Sequence, residues 1–142
     1  MVTSGFFIAG LRSADTRDAR RAEYVQTAKQ AVLNLTTIDD QTARADIDRV
    51  LSVASGDLKA EYAQRKDAYA QVVEQAKVKA TGEVIETAIQ DEGQDSARVL
   101  IAAKQTLTNA GMEGPQTRYY RFRITVVKGD NGITASQAEF VA

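Results

Sequence analysis

Three groups of side chains in this 142-residue sequence have types and spacings that bear on chemistry. The first is acidic: Asp39 and Asp40 are adjacent, and Asp46 and Asp48 follow. Paired carboxylates can exchange protons with a substrate or hold a hard cation. On a helix these positions point in different directions, and Asp39 and Asp40 fall in a first turn, where the helix dipole favours negative charge. Capping and solvation account for all four. The second group is Arg118, Arg121 and Arg123, interleaved with Tyr119, Tyr120 and Phe122. A basic strand carrying aromatics can stack on single-stranded nucleic acid. Strand alternation parts them, because Tyr120 and Phe122 fall on the face opposite Arg121 and Arg123. The outward arginines instead suit an acidic partner surface or lipid headgroups. The third group is Tyr24, Tyr62 and Tyr69, on helices that would cover a cavity. Buried tyrosines orient small ligands or stabilise an enolate, and more commonly fill volume and find one hydrogen bond. These three are the candidate pocket lining.

What is missing narrows the chemistry further. The chain has no histidine and no cysteine. Serine–histidine–aspartate triads, thiolate nucleophiles and the commonest zinc sites are therefore impossible. There is no phosphate-binding glycine loop and no cluster with metal-ligand spacing. With 18 basic and 19 acidic residues the net charge is −1, which lacks the cationic surplus of a dedicated nucleic-acid binder. The expectation is no catalytic residue, no cofactor, no metal and no nucleic-acid partner.

The elements that would position these residues divide the chain into helices and then strands. Ser13 or Asp15 can cap a long helix to about Leu35, with Val25, Ala28, Val32 and Leu35 as its apolar stripe. Thr37, with Asp40 three residues on, can cap a second helix buried through Ala43, Ile47, Val50, Leu51 and Ala54. Arg44 and Asp48 are an i,i+4 pair on its wet side. Ser55-Gly56 ends it, and a third helix follows with Leu58, Tyr62, Tyr69, Val72, Val73 and Ala76 on its inner side. From Lys77 the period shifts toward 2. Strands run from about Val78 to Asp91, Ala97 to Asn109, across Tyr119 to Val126, and from Ile133 to Val141. Gly82 is a candidate bulge in the first of them. The apolar run Val99 to Ala103 reads as covered on both faces. Gly129-Asp130-Asn131-Gly132 is the strongest turn signal. The fold class is α+β: N-terminal helices packed in a curved, cone-like four-stranded antiparallel sheet, or helices on one side of a flat one.

The N-terminus stands apart. Val2 to Leu11 carries no charge and includes Phe6, Phe7 and Ile8 in a row, with Arg12 ending the run. A spanning helix needs about 20 apolar residues, so this is roughly half of one. It reads as the last turns of a membrane anchor or as an apolar arm, with Phe6, Phe7, Ile8 and Leu11 as membrane contacts. Residues 12–142 form the single domain.

The ordered set Asn34-Leu35-Thr36-Thr37-Ile38-Asp39, Ala45-Asp46-Ile47-Asp48-Arg49-Val50-Leu51, Ser55-Gly56, Ala76-Lys77-Val78, Thr81-Gly82, Ala97-Arg98-Val99-Leu100, Gln105-Thr106-Leu107-Thr108-Asn109, Tyr120-Arg121-Phe122-Arg123 and Glu139-Phe140-Val141 resembles the actinobacterial Mce-associated membrane proteins. The resemblance runs from about Arg12 to the end. It implies one membrane anchor and a helix-filled cone related to the nuclear transport factor and ketosteroid isomerase folds. The cone would lie on the outer, periplasmic-side face of the cytoplasmic membrane. Its partners would be Mce transporter subunits, and its role non-enzymatic: an accessory that stabilises import of sterols or fatty acids. Relatives carry a complete anchor, whereas here only its final turns are seen. Two alternatives stand beside this reading. One is a small-molecule module holding a lipid ligand in the cone; the other is an isomerase or cyclase that needs a buried carboxylate near Tyr24, Tyr62 or Tyr69.

Overall fold

The computed structural model describes the backbone of residues 2–142 and the side chains of residues 16–142. Helix α1 spans Val2–Thr36, and strand β1, Ile38–Asp39, follows at once. Helices α2 (Ala43–Val53) and α3 (Gly56–Ala76) come next, then β2 (Lys79–Glu92), β3 (Ser96–Thr108), β4 (Gln116–Gly129) and β5 (Gly132–Phe140). The strands form one antiparallel sheet in the order β1-β2-β3-β4-β5. The helices pack on one face of it, so the α+β class holds. The sheet has five strands rather than four, because Ile38 and Asp39 pair with Ala80 and Lys79. Two residues are too short to show a period.

The inner face follows the alternation of the sequence. Val99 and Ile101 on β3 and Phe122, Ile124 and Val126 on β4 are buried against Tyr24, Ala28 and Val32 of α1. Each such aliphatic side chain contributes about 1.5–3 kcal/mol relative to exposure. This is what docks α1. A second cluster joins Ile38, Ala43 and Ile47 to Ala70, Val73, Ala80 and Leu107, and Tyr62 packs against both. The run Val99 to Ala103 is not doubly covered: Val99, Ile101 and Ala103 are buried, whereas Leu100 and Ala102 are only half-buried on the outer face.

Several local expectations are corrected. Ser13 and Asp15 lie inside α1 rather than before it. Thr37 caps nothing; its Oγ1 accepts a hydrogen bond from the Gly82 amide at 3.1 Å, and α2 begins after Thr42. Ser55 occupies the position before α3, but its Oγ accepts from Thr134 Oγ1 at 2.7 Å instead of capping the helix. Arg44 pairs with Asp67 at 2.6 Å, and Asp48 with Lys66, so both link α2 to α3 and not to each other. Val72 is exposed, and Ala70 takes the inner position. Gly82 keeps regular register with Gln105, and the irregularities fall between Val84 and Glu86 and between Ile89 and Asp91. Its small size serves a close approach: a Cβ there would lie 2.7 Å from Thr36 Cβ and nearer still to Thr36 Oγ1. The turn at Gly129–Gly132 is as expected, a two-residue hairpin with Gly132 at φ 113°.

Candidate functional site

The end of α1, the first turns of α3 and the inner face of β3–β5 enclose a pocket of about 230 Å³ at the mouth of the cone. Leu58 and Tyr62 come from α3, Gln105 from β3, Tyr120 and Phe122 from β4, and Phe140 from β5. Alternation puts these strand residues on the helix-facing side. Tyr120, Phe122 and Phe140 form one aromatic cluster, with ring centroids 5.1–5.9 Å apart. Phe140 is its outermost member at 73 % exposed. Gln105 orders the polar side: its Nε2 donates to the Thr36 carbonyl at 2.9 Å and its Oε1 accepts from the Tyr120 hydroxyl at 3.2 Å. An inward polar residue between Ala103 and Leu107 was a readable signal that the tyrosines overshadowed.

The three candidate tyrosines are not one set. Tyr62 lines the mouth, and with Tyr69, Glu61 and Arg65 it also lines an adjoining pocket of about 200 Å³. The two rings meet edge to face at 6.3 Å. Burial pushes the Tyr62 hydroxyl up to about 12, with the neighbouring Tyr69 adding to it. Burial also raises Tyr69, although its ring edge reaches solvent. Tyr24 lies elsewhere: it is fully buried in the core under α1, and its hydroxyl has no hydrogen-bond partner among the described residues. Burial raises its pKa against the opposing charge of Arg20. It fills volume rather than lining the mouth. Phe6, Phe7, Ile8 and Leu11 lie outside the described side chains.

A carboxylate near the tyrosines does exist. Asp46, 3 % exposed, shares a space of only about 10 Å³ with Tyr62 and Tyr69. Its oxygens accept from the Asp39 amide at 2.8 Å, from Thr42 Oγ1 at 2.9 Å and from the Arg49 guanidinium. That space holds at most a water, and three of the roughly four carboxylate lone-pair sites are already used. Asp46 is therefore a structural knot joining β1 to α2, and its expected solvation is corrected. Asp39 and Asp40 both meet Lys79, at 3.2 and 2.6 Å. Among the described residues no three acidic groups gather as a metal site, and no helix is long and apolar enough to cross a membrane.

Residues 1–142 all match the family described as "Uncharacterized protein Rv1363c/MT1408-like". The chain belongs to that family. It is 33% identical to the protein Rv1363c of Mycobacterium tuberculosis over 138 residues, 97% of this chain and 53% of that protein. The chain thus spans about half the length of the curated relative it matches. Among solved structures, the periplasmic domain of DotI superposes with a TM-score of 0.68 at 16% identity, covering 82% of this chain and 91% of that one. An IcmL-like type IV secretion system protein from Legionella pneumophila gives 0.67 at 12% identity, covering 86% and 94%. An Ntf2-like protein involved in plasmid conjugation gives 0.56 at 10% identity, covering 86% and 49%. These likenesses establish the cone-like α+β fold.

Proposed function

We propose that this Rv1363c-like chain is a non-enzymatic accessory subunit of a membrane complex, and specifically of an Mce-type importer of sterols or fatty acids. Its domain would stand on the outer face of the cytoplasmic membrane, with residues 1–11 as the end of an anchor and residues 12–142 as the domain. The carrying observation is α1. Arg21 pairs with Glu92 at the end of β2, and the helix enters the core at Tyr24. Before Arg20 the same unbroken helix runs on from Val2 and is exposed over Arg17 to Ala19. A rigid stalk rising from an apolar segment suits a domain held off a bilayer. The neighbouring folds include a periplasmic domain and a secretion-system component, which supports protein partners on that side. The Mce assignment rests on the ordered motifs from Asn34-Leu35-Thr36-Thr37 to Glu139-Phe140-Val141. Co-purification from native membranes tests it: Mce subunits should be recovered with the full-length protein, and recovery alone in the soluble fraction would refute it.

The mouth pocket supports a second reading, that of a lipid-binding module. At about 230 Å³ it falls below the roughly 300–1,000 Å³ of most small-molecule sites, so a sterol would have to displace Phe140 outward. Saturable binding of a fluorescent sterol, lost in Tyr62→Ala, would favour it over the accessory reading.

A further inference from the structure

The helices cover one face of the sheet, and the other carries a groove of about 280 Å³ floored by Ala88, Leu100 and Ala102. Its two walls bear opposite charges. Glu86 on β2 and Arg121 on β4 are both register partners of Ala102 on β3, so the three form one row across the outer face. Glu86 and Arg121 stand two strands apart, about 10 Å between backbones. Neither joins any of the ion pairs among the described residues. By contrast, Arg98 at the end of the same face is paired with Asp91. The centre of the outer face is thus an apolar strip between an unmatched acid and an unmatched base.

We propose that this face docks a second copy of the chain, about a twofold axis parallel to β3. Such an axis lays β3 over β3 and brings β2 of each copy over β4 of the other. Glu86 of each copy then faces Arg121 of the other, twice, while Ala102 meets Ala102 on the axis. Lys104, register partner of Glu83, meets its own copy on the axis and is flanked by Glu83 of both copies. A twofold axis perpendicular to the strands would instead set β2 on β2, acid on acid, and β4 on β4, base on base. The row therefore selects both the partner and its orientation. Small residues at the centre let two sheets approach to about 10 Å, the usual spacing of packed sheets. An isologous contact of this kind closes on itself and leaves the helix side and the pocket mouth free. It stands independently of the accessory reading.

Sedimentation equilibrium on the full chain tests the pairing, with circular dichroism to verify folding. The wild type should dimerise. Glu86→Arg and Arg121→Glu should each weaken the dimer about 30-fold or more, because each sets like charges together at two symmetric places. The double swap should return the affinity to within about threefold of wild type, since every pair is then restored in reverse. Ala102→Cys, the sole thiol in a chain without cysteine, should be joined to its symmetry mate by a short thiol-to-thiol cross-linker, because facing backbones about 10 Å apart lie beyond direct disulfide reach. A monomeric wild type overturns the proposal, as does a dimer that ignores both single reversals, a double swap that folds but stays monomeric, or failure of Ala102→Cys to cross-link. Capture of a different protein on this face by a monomeric chain overturns it equally.

Discussion

Replacing Gly82 with alanine tests whether the end of α1 is held by contact with β2. The new methyl carbon would sit 2.7 Å from Thr36 Cβ, roughly 1 Å inside ordinary carbon–carbon contact. Thr36 cannot swing aside freely. It is 3 % exposed, and its hydroxyl donates to the Val32 carbonyl at 2.7 Å. Backbone must therefore move, which costs about 1–3 kcal/mol, and the Gly82 amide bond to Thr37 Oγ1 lengthens with it. With urea m-values of about 1–3 kcal/mol/M, the midpoint of urea unfolding should fall by on the order of 1 M at unchanged m. The sign carries the test. In an unconstrained strand the same substitution stabilises by about 0.4–1 kcal/mol, because alanine narrows the unfolded ensemble. A midpoint that stays constant or rises would refute the close-approach account. The companion Thr36→Gly in the Gly82→Ala background should recover part of the loss.

Three further outcomes follow from the buried polar groups and the surface carboxylates. Tyr24→Phe should leave thermal stability unchanged or raise it by up to about 1 kcal/mol, because the hydroxyl it removes has no described partner, whereas Tyr24→Ala should cost about 3–5 kcal/mol. Absorbance titration near 295 nm should show one tyrosine ionising near 12 that disappears in Tyr62→Phe. Because the folded pKa of Tyr62 is raised, stability should be intact below about pH 10 and fall as pH rises through that window. The Gln41 amide and Lys79 lower Asp39, and Arg98 lowers Asp91, so their contribution is present above the ordinary carboxylate range and lost as pH drops below about 4. Chemical denaturation across pH 2–7 should show a shallower acid decline in Asp39→Asn and Asp91→Asn.

What the sequence made legible was whatever repeats. The alternation of Tyr120, Phe122, Ile124 and Val126 placed the inner face of β4, and Gly129-Asp130-Asn131-Gly132 placed its hairpin. Ala43, Ile47 and Val50 marked the inner side of α2, and Tyr62 was found at the mouth. The failures are side chains whose partners the periodicity of their own element does not reveal. Thr37 resembles a cap until Gly82, 45 residues away, takes its hydroxyl. Asp46 resembles a solvated helix acid until the Asp39 amide and Arg49 close around it. Gln105 and Phe140 acquire meaning only when β3, β5 and the end of α1 come together. Tyr24 shares its residue type with Tyr62, and helix spacing alone does not separate a core filler from a pocket wall.

The order of elements has a consequence for how the molecule is made. Strands β2 to β5 pair strictly with their sequence neighbours, so the meander can zip hairpin by hairpin, each closing a short loop. Helix α1 is synthesised first, yet Tyr24, Ala28 and Val32 rest on strands that emerge about a hundred residues later, roughly 5–20 s at ordinary elongation rates. Through that interval only Ala54 and Leu58, which emerge sooner, can begin to cover its apolar stripe. A variant that slows the last hairpin, such as one at Gly132, would prolong the exposure and should reveal itself as chaperone dependence during synthesis rather than as a change in the finished fold.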